Sequence, residues 1–201
     1  MLEEKDLDKL GNLTFSVITA PTVEPATVAE LKTFARIDTT TEDTFLELLI
    51  KAAREASEFY MNRAFLEQTV RIRMDYWPEG KDHIELPLPP FISLSKFVTV
   101  DEDDTETAYS ADSYYIVTDC VPAKLAIVMG ATPPTNEDRA VGGIIVQYIA
   151  GFGSTAAYVP AMIRLAVQMW ATNAYENRVV DMSKPPDEVK RLLDPYRVLN
   201  V

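Results

Sequence analysis

One cysteine, Cys120, and one histidine, His83, occur in 201 residues. A single thiol allows no internal disulfide and no thiolate zinc site. Cys120 stands between Asp119 and Val121-Pro122, and a neighbouring carboxylate does nothing to favour a thiolate. His83 has Asp82 and Glu85 nearby, but a lone imidazole makes no acid–base or metal constellation by itself. No apolar run reaches the roughly 18–20 residues that span a bilayer. The opening MLEEKDLDKLGN has no signal-peptide h-region. The expectation is a soluble, intracellular protein with no membrane partner. Basic residues are scarce too: 19 Lys and Arg against 31 Asp and Glu give a net charge of −12 and a pI near 4.5. Proteins that hold nucleic acid by neutralising phosphates need the opposite balance, which argues against stable DNA or RNA binding.

What is present is an ordinary globular composition, 47% hydrophobic and 25% charged. A chain of this length buries roughly 70% of its unfolded surface, as one large domain or one domain with an insertion. Leu13, Phe15, Val17 and Ile18 alternate enough for a short strand or extended arm. Thr27-Val28-Ala29-Glu30 is a capping-box pattern heading a helix through Leu31, Phe34 and Ala35. A second box, Thr39 to Glu42, opens a longer helix to about Asn62, with Phe45, Leu48, Leu49, Ala52, Ala56, Phe59 and Tyr60 as its apolar stripe. Glu47 with Lys51, and Arg54 with Glu58, read as i, i+4 pairs on its outer face.

From Gln68 the period changes to two: Val70, Ile72, Met74 and Tyr76 alternate with Arg71, Arg73 and Asp75. More strands are expected near 84–88, 92–100, 107–110, 114–118, 124–128 and 143–150, at spacings that suit hairpin-linked antiparallel pairing and not βαβ units. After Pro160 comes the most apolar helical pattern, including Met162, Ile163, Leu165, Ala166, Val167, Met169, Trp170, Ala174 and Tyr175. Its polar residues fall on the ridge Arg164, Gln168, Thr172, Glu176. A helix apolar over so much of its circumference is central to a core or pressed on a partner. A last helix, Asp187 to Leu193, is stopped by Asp194-Pro195 and followed by the apolar tail Tyr196–Val201, which reads as an anchor for its own domain or another chain. The fold class is therefore α+β: a helical bundle (helices about 27–36, 41–62, 160–178 and 186–193) with an inserted antiparallel β-sheet region at about 68–150. The domain plan is an N-terminal arm, 1–26, and a single domain, 27–201, ending in the helix and tail 186–201.

Gly151-Phe152-Gly153-Ser154-Thr155-Ala156 matches G-x-G-x-x-G/A after an apolar strand and before a helix. Pro160 delays the helix start, and no following strand completes a βαβ unit, so a turn from sheet to helix is the better reading. Asp101-Glu102-Asp103-Asp104 lacks the Gly and Glu an EF-hand loop needs at its sixth and twelfth positions, which here are Glu106 and Asp112. A solvated hairpin tip accounts for it. No G-x-S-x-G, Walker A or H-E-x-x-H motif occurs.

Four segments are similar, in order and spacing, to a known family: TVAELKTFARIDTTTEDTFLELLIKAAREASEFYMNRAFLEQT at 27–69, LPLPPFISLSKF at 86–97, VQYIAGFGSTAAYVPAMIRLAVQMWATNAYENR at 146–178 and PPDEVKRLLDPYRV at 185–198. The chain resembles the head–tail connector (head-completion or adaptor) proteins of long-tailed bacteriophages, prophages and gene transfer agents. The resemblance implies a helical bundle with a β-rich insertion and no catalytic residue, cofactor or metal. It implies a ring of about twelve copies that docks on the portal protein, extends the DNA channel and offers a platform to a neck or tail-completion protein. It also implies manufacture in a bacterial cytoplasm and a final place at the head–tail interface of a virion or gene-transfer-agent particle.

Under this reading the portal anchor is the C-terminal segment, with Leu192, Leu193, Tyr196, Val198 and Leu199, and removing residues 194–201 should abolish docking while sparing the fold. Phe45, Leu49, Phe59, Ile163, Val167 and Trp170 form the bundle core or subunit interface. Gly151, Gly153 and Pro160 form the sheet-to-helix joint, and the hairpin tips near Glu79–Asp82 and Asp101–Asp104 face the tail side. DNA would pass without specific binding, repelled by the part of the −12 charge that lines the lumen. Two other classes compete: a nucleotide-binding enzyme using the Gly151–Gly153 loop, and a soluble monomeric binding module.

Overall fold

The alternation of Val70, Ile72 and Met74 with Arg71 and Arg73 yields strand β2, Gln68–Met74, with one face buried and the other half-buried. In the computed structural model, which describes residues 13–135, 139–178 and 182–198, the chain divides into two compact units. One contains Gln68–Ala150 together with strand β1, Thr14–Thr19; the other contains Pro21–Glu67 and the chain from Gly151 onward.

In the β unit, β2 lies between β1 and the apolar strand β8, Ile144–Ala150; β8 continues to β4, Phe91–Val100, and β4 to β5, Glu106–Ala108. The five strands are antiparallel, in the order β1-β2-β8-β4-β5. Val70 opposite Tyr148 and Ile72 opposite Val146 fix the β2–β8 register. A one-residue slip would turn every one of these side chains to the other face. Tyr148 is fully buried, and its hydroxyl donates to the Pro87 carbonyl, as a buried phenol requires. Burial pushes its acidity well below that of a free tyrosine.

Strands β3, His83–Glu85, β6, Tyr114–Val117, and β7, Lys124–Ile127, form a second, three-stranded antiparallel sheet in the order β3-β7-β6. The expected succession of hairpins is thus realised only at β4–β5 and β6–β7. Pro87, Pro89 and Pro90 between β3 and β4 lack the N–H groups that a continuing ladder needs. β4 instead pairs with β8, far along the chain.

The helical unit holds α1, Val28–Ala35, α2, Asp43–Met61, α3, Ala161–Asn177, and α4, Asp187–Leu193. Its core joins Leu31, Leu46, Leu49, Ile50, Met61, Phe65, Ile163, Val167, Trp170, Val189 and Leu193. The first capping box forms completely: the Glu30 N–H donates to Thr27 Oγ1 at 3.2 Å, and the Thr27 N–H donates to Glu30 Oε2 at 2.8 Å. Arg164 of α3 reaches Glu30 Oε1 at 2.8 Å and the Pro25 carbonyl at 3.1 Å, tying α1 to the central helix. The second box does not form. Glu42 caps nothing with its side chain and instead accepts from the Tyr175 hydroxyl and from Arg178.

Two assignments on α2 need correction. Its buried arc is Leu46, Leu49, Ile50, Ala53, Ser57 and Met61, while Phe45, Leu48 and Phe59 are exposed. Arg54 and Glu58 are buried, not outward, at 3% and 8% exposure. On α3 the polar ridge is interrupted, because Thr172 is buried and its hydroxyl has no hydrogen-bond partner among the described residues. Met162 and Leu165 face solvent instead.

Trp170→Ala should destabilise the protein by about 3–5 kcal/mol by opening a cavity. Phe59→Ala, at a position 83% exposed, should stay within about 0.5 kcal/mol; urea titration followed by circular dichroism separates the two. Glu30 is held below the ordinary carboxylate value of 4.5, chiefly by the Thr27 N–H, against some desolvation. A lowered folded-state value gives stability that is present above 4.5 and lost as pH falls through the folded value. The gap in Tm between wild type and Glu30→Gln should therefore be widest near neutral pH and close as pH drops below 4.5.

Candidate assembly interface

The glycine loop is filled by its own chain. Gly151 has φ +132°, and a Cβ there would lie 2.5 Å from the Leu66 carbonyl group. Gly153 has φ +157°, and its Cβ would lie 2.5 Å from the Tyr158 ring. The Phe152 N–H donates to the Phe65 carbonyl and the Glu67 N–H to the Gly153 carbonyl, each at 3.0 Å. The glycines thus let two segments of the helical unit touch, and the space a pyrophosphate would take is occupied by residues 65–67 and Tyr158. A 3₁₀ turn at Ala156–Tyr158 and the N-cap Pro160 then set α3.

Sequence reasoning missed the cluster beside this clamp. Arg54 Nε donates to Glu24 at 2.7 Å and its Nη1 to Glu58 at 2.6 Å; the other Glu58 oxygen accepts the Phe65 N–H at 2.7 Å. Burial pushes the Glu58 carboxyl up, against the pull of Arg54. Burial also opposes the charge of Arg54, but Glu24 and Glu58 more than offset it. The i, i+4 spacing was visible, but the third partner lies 30 positions away.

The C-terminal segment is stapled to the end of α2. The Val198 N–H donates to the Met61 carbonyl at 3.0 Å, Asn62 Nδ2 to the Val198 carbonyl at 3.2 Å and Arg63 Nε to the Tyr196 carbonyl at 2.8 Å. The Tyr60 hydroxyl donates to Asp194 at 2.6 Å, and the Arg197 guanidinium lies 4.7 Å from the Tyr60 ring centre. Leu193 and Val198 are buried in this chain's own fold, while Leu192 and Tyr196 are half-buried against the same core. Leu199 lies outside the described residues. Leu193 and Val198 thus anchor the segment to its own domain, and Leu192 and Tyr196 are the described members of the expected portal set that keep exposed surface.

Among the residues expected to serve the core or a subunit interface, Leu49, Ile163, Val167 and Trp170 are core. Phe59 belongs to an outward stripe with Leu48, edged by Phe45, whose ring lies 6.4 Å from that of Tyr175; Ala52 is half-buried and Ala56 packs against the core. At 100° per residue this stripe lies roughly 140° around α2 from its buried arc and runs about 21 Å along it. α3 carries a second outward apolar stripe at Met162 and Leu165, preceded by the exposed Tyr158.

His83 pairs with Ala126 in β3, and the Cys120 thiol faces the Val117 carbonyl. No group of three or more metal-ligating side chains is present among the described residues. The acidic tip is a self-closed turn in which Asp101 Oδ1 accepts the N–H groups of Asp103 and Thr105. No described helix is long and apolar enough to cross a membrane. The organised features among the described residues are thus a rigid joint and two outward apolar stripes.

Residues 25–197 match the family described as Phage gp6-like head-tail connector protein. The chain belongs to that family. No curated protein matches it. Among solved structures, a chain in the virion of a native gene transfer agent (GTA) particle is 25% identical, with TM-score 0.77. A chain in the neck of an empty GTA particle computed with C6 symmetry is 25% identical, with TM-score 0.79. A third, from the neck of a native GTA particle computed with C12 symmetry, is 24% identical with TM-score 0.77 and supports the fold. Each alignment covers 94% of this chain and 97% of the other. The α+β architecture is accordingly shared with these neck chains over 94% of this chain.

In this connector, deleting residues 194–201 should cost about 2 kcal/mol or more of fold stability. The staple bonds and the burial of Val198 are lost together. A thermal melt unchanged from wild type would refute the structural role of this segment.

Proposed function

We propose that the protein is a structural subunit of a head–tail connector, without catalytic activity, located at the neck of a phage-type or gene-transfer-agent particle. The carrying observation is the family match over 25–197 together with near-complete mutual coverage of a GTA neck chain. Twelve copies form a ring, in line with the C12 symmetry of one similar neck. The ring docks on the portal protein, continues its DNA channel and receives the next neck or tail protein. The half-buried faces of Leu192 and Tyr196 stay available at the portal side, whereas Leu193 and Val198 hold the subunit together.

The acidic residues are unevenly shared. Residues 68–150 contain 13 Asp and Glu against 6 Lys and Arg; residues 21–67 and 151–201 together contain 14 against 11. We place the acid-rich β unit along the DNA path, where repulsion of phosphates lets the duplex slide instead of bind. A nucleotide-dependent enzyme is not favoured, because the Gly151–Gly153 loop is packed against Leu66 and Tyr158.

Electron microscopy of the protein mixed with its portal protein tests the proposal. A ring stacked on the portal, with a negative channel wall, is expected. A protein that stays monomeric with the portal present would overturn the connector reading, and a neutral or basic wall would overturn the charge assignment.

A further inference from the structure

A ring imposes a condition that a two-fold dimer does not. Each copy must present two different, mutually complementary patches, one for the neighbour on each side. A single self-complementary patch closes a dimer and stops. The helical unit has two such patches, on different helices. Leu48 and Phe59 project from α2, with Phe45 at their edge beside the Tyr175 ring, and Tyr158, Met162 and Leu165 lie on and just before α3. Leu48 and Phe59 on one side, and Met162 and Leu165 on the other, turn away from the core the two helices share. Phe59 at 83% exposure, Tyr158 at 62% and Leu48 at 60% are the most open.

We propose that the outward stripe of α2 in one copy packs against the Tyr158–Met162–Leu165 stripe of the next copy, and that this repeating contact closes the ring. The inference rests on the connector reading given above.

Three observations select a second copy as the occupant. Exposed apolar area is the first: six large side chains, between 36% and 83% exposed, offer on the order of 600 Å². That is the apolar centre of an interface of ordinary size, about 1,600 Å² in total, and it is divided between two helices as a repeating contact requires. Shape is the second. Leu48 also lines a groove of about 770 Å³ beside Val23, Val28 and Ile50, a depression into which an apolar side chain of a neighbouring copy can enter. Charge is the third. These stripes belong to residues 21–67 and 151–201, where acidic and basic residues nearly balance, 14 against 11. Identical copies approach there against the least self-repulsion.

Disulfide trapping in the full-length protein assembled on its portal tests the pairing, with Cys120→Ser as the background. The double variant Phe59→Cys with Leu165→Cys should give, on mild oxidation, a ladder of covalent multimers up to the closed ring. Either single substitution should give no covalent dimer, because each new thiol then faces an apolar partner. Phe59→Asp should leave Tm unchanged and weaken ring formation at least about tenfold. Covalent dimers from Phe59→Cys alone would mean a two-fold contact and overturn the proposal. So would wild-type rings visible by microscopy with no ladder from the double variant. Failure of the wild-type protein to form rings on the portal would defeat the connector reading itself, and the pairing with it.

Discussion

The close approach of Gly151 to the Leu66 carbonyl is the constraint on which the architecture depends. The chain leaves the helical unit after Glu67, builds a β unit of 83 residues and returns at Gly151. The departing and returning segments are held side by side by the Phe152–Phe65 and Glu67–Gly153 backbone bonds. Any side chain at 151 would collide with backbone that those bonds forbid to move. With the two ends of the insertion pinned, the helical unit closes its core without drawing on the sheet. The entropy of closing so long a loop is met by contacts local to the joint. The buried Arg54–Glu58–Glu24 cluster extends this restraint, since Glu58 holds the Phe65 N–H and Arg54 holds Glu58. A carboxylate in that position is tolerable only while its cation stays, so the cluster favours one arrangement of the joint over others more than it adds stability.

How far the sequence could be read follows from which interactions are local. The first capping box was legible because all its partners lie within four residues, and β2 and β8 were legible from period two and from an unbroken apolar run. Sheet order was not. β8 takes β2 and β4 as neighbours across separations of tens of residues, and no hairpin turn announces either pairing. The stripe on α2 was visible, but its direction was ambiguous. Phe45, Leu48 and Phe59 follow helical spacing as well as Leu46, Leu49, Ile50 and Ala53 do, and a helix with two apolar arcs does not say which faces inward. Arg54 and Glu58 suffered the reverse error. An i, i+4 ion pair reads as a surface feature unless Glu24 is known to be beside it. The apolar C-terminal tail reads equally well as an anchor for its own domain or for another chain. Its apolar character is spent on Leu193 and Val198, which seal the end of the bundle.

The tail and the α2 stripe together bear on how such a subunit can assemble. Residues that look spare at the C-terminus are committed to the fold, and residues that look committed on α2 are spare. A chain whose tail is already stapled to Met61, Asn62 and Arg63 is a finished body before it meets another copy. Association then needs little further ordering of the backbone, and so little of its cost in entropy. What it must overcome is charge, because every added copy brings a net −12. That repulsion is weakest where acidic and basic residues nearly balance, in the helical unit, and strongest along residues 68–150, with 13 acidic against 6 basic. Under the proposed pairing, this partition would let helices of neighbouring copies touch, keep the β units of neighbouring copies apart and leave an anionic wall along any path they surround. Cohesion and repulsion are thereby assigned to different units of one chain, and a ring built this way would hold itself together without holding the DNA that passes it.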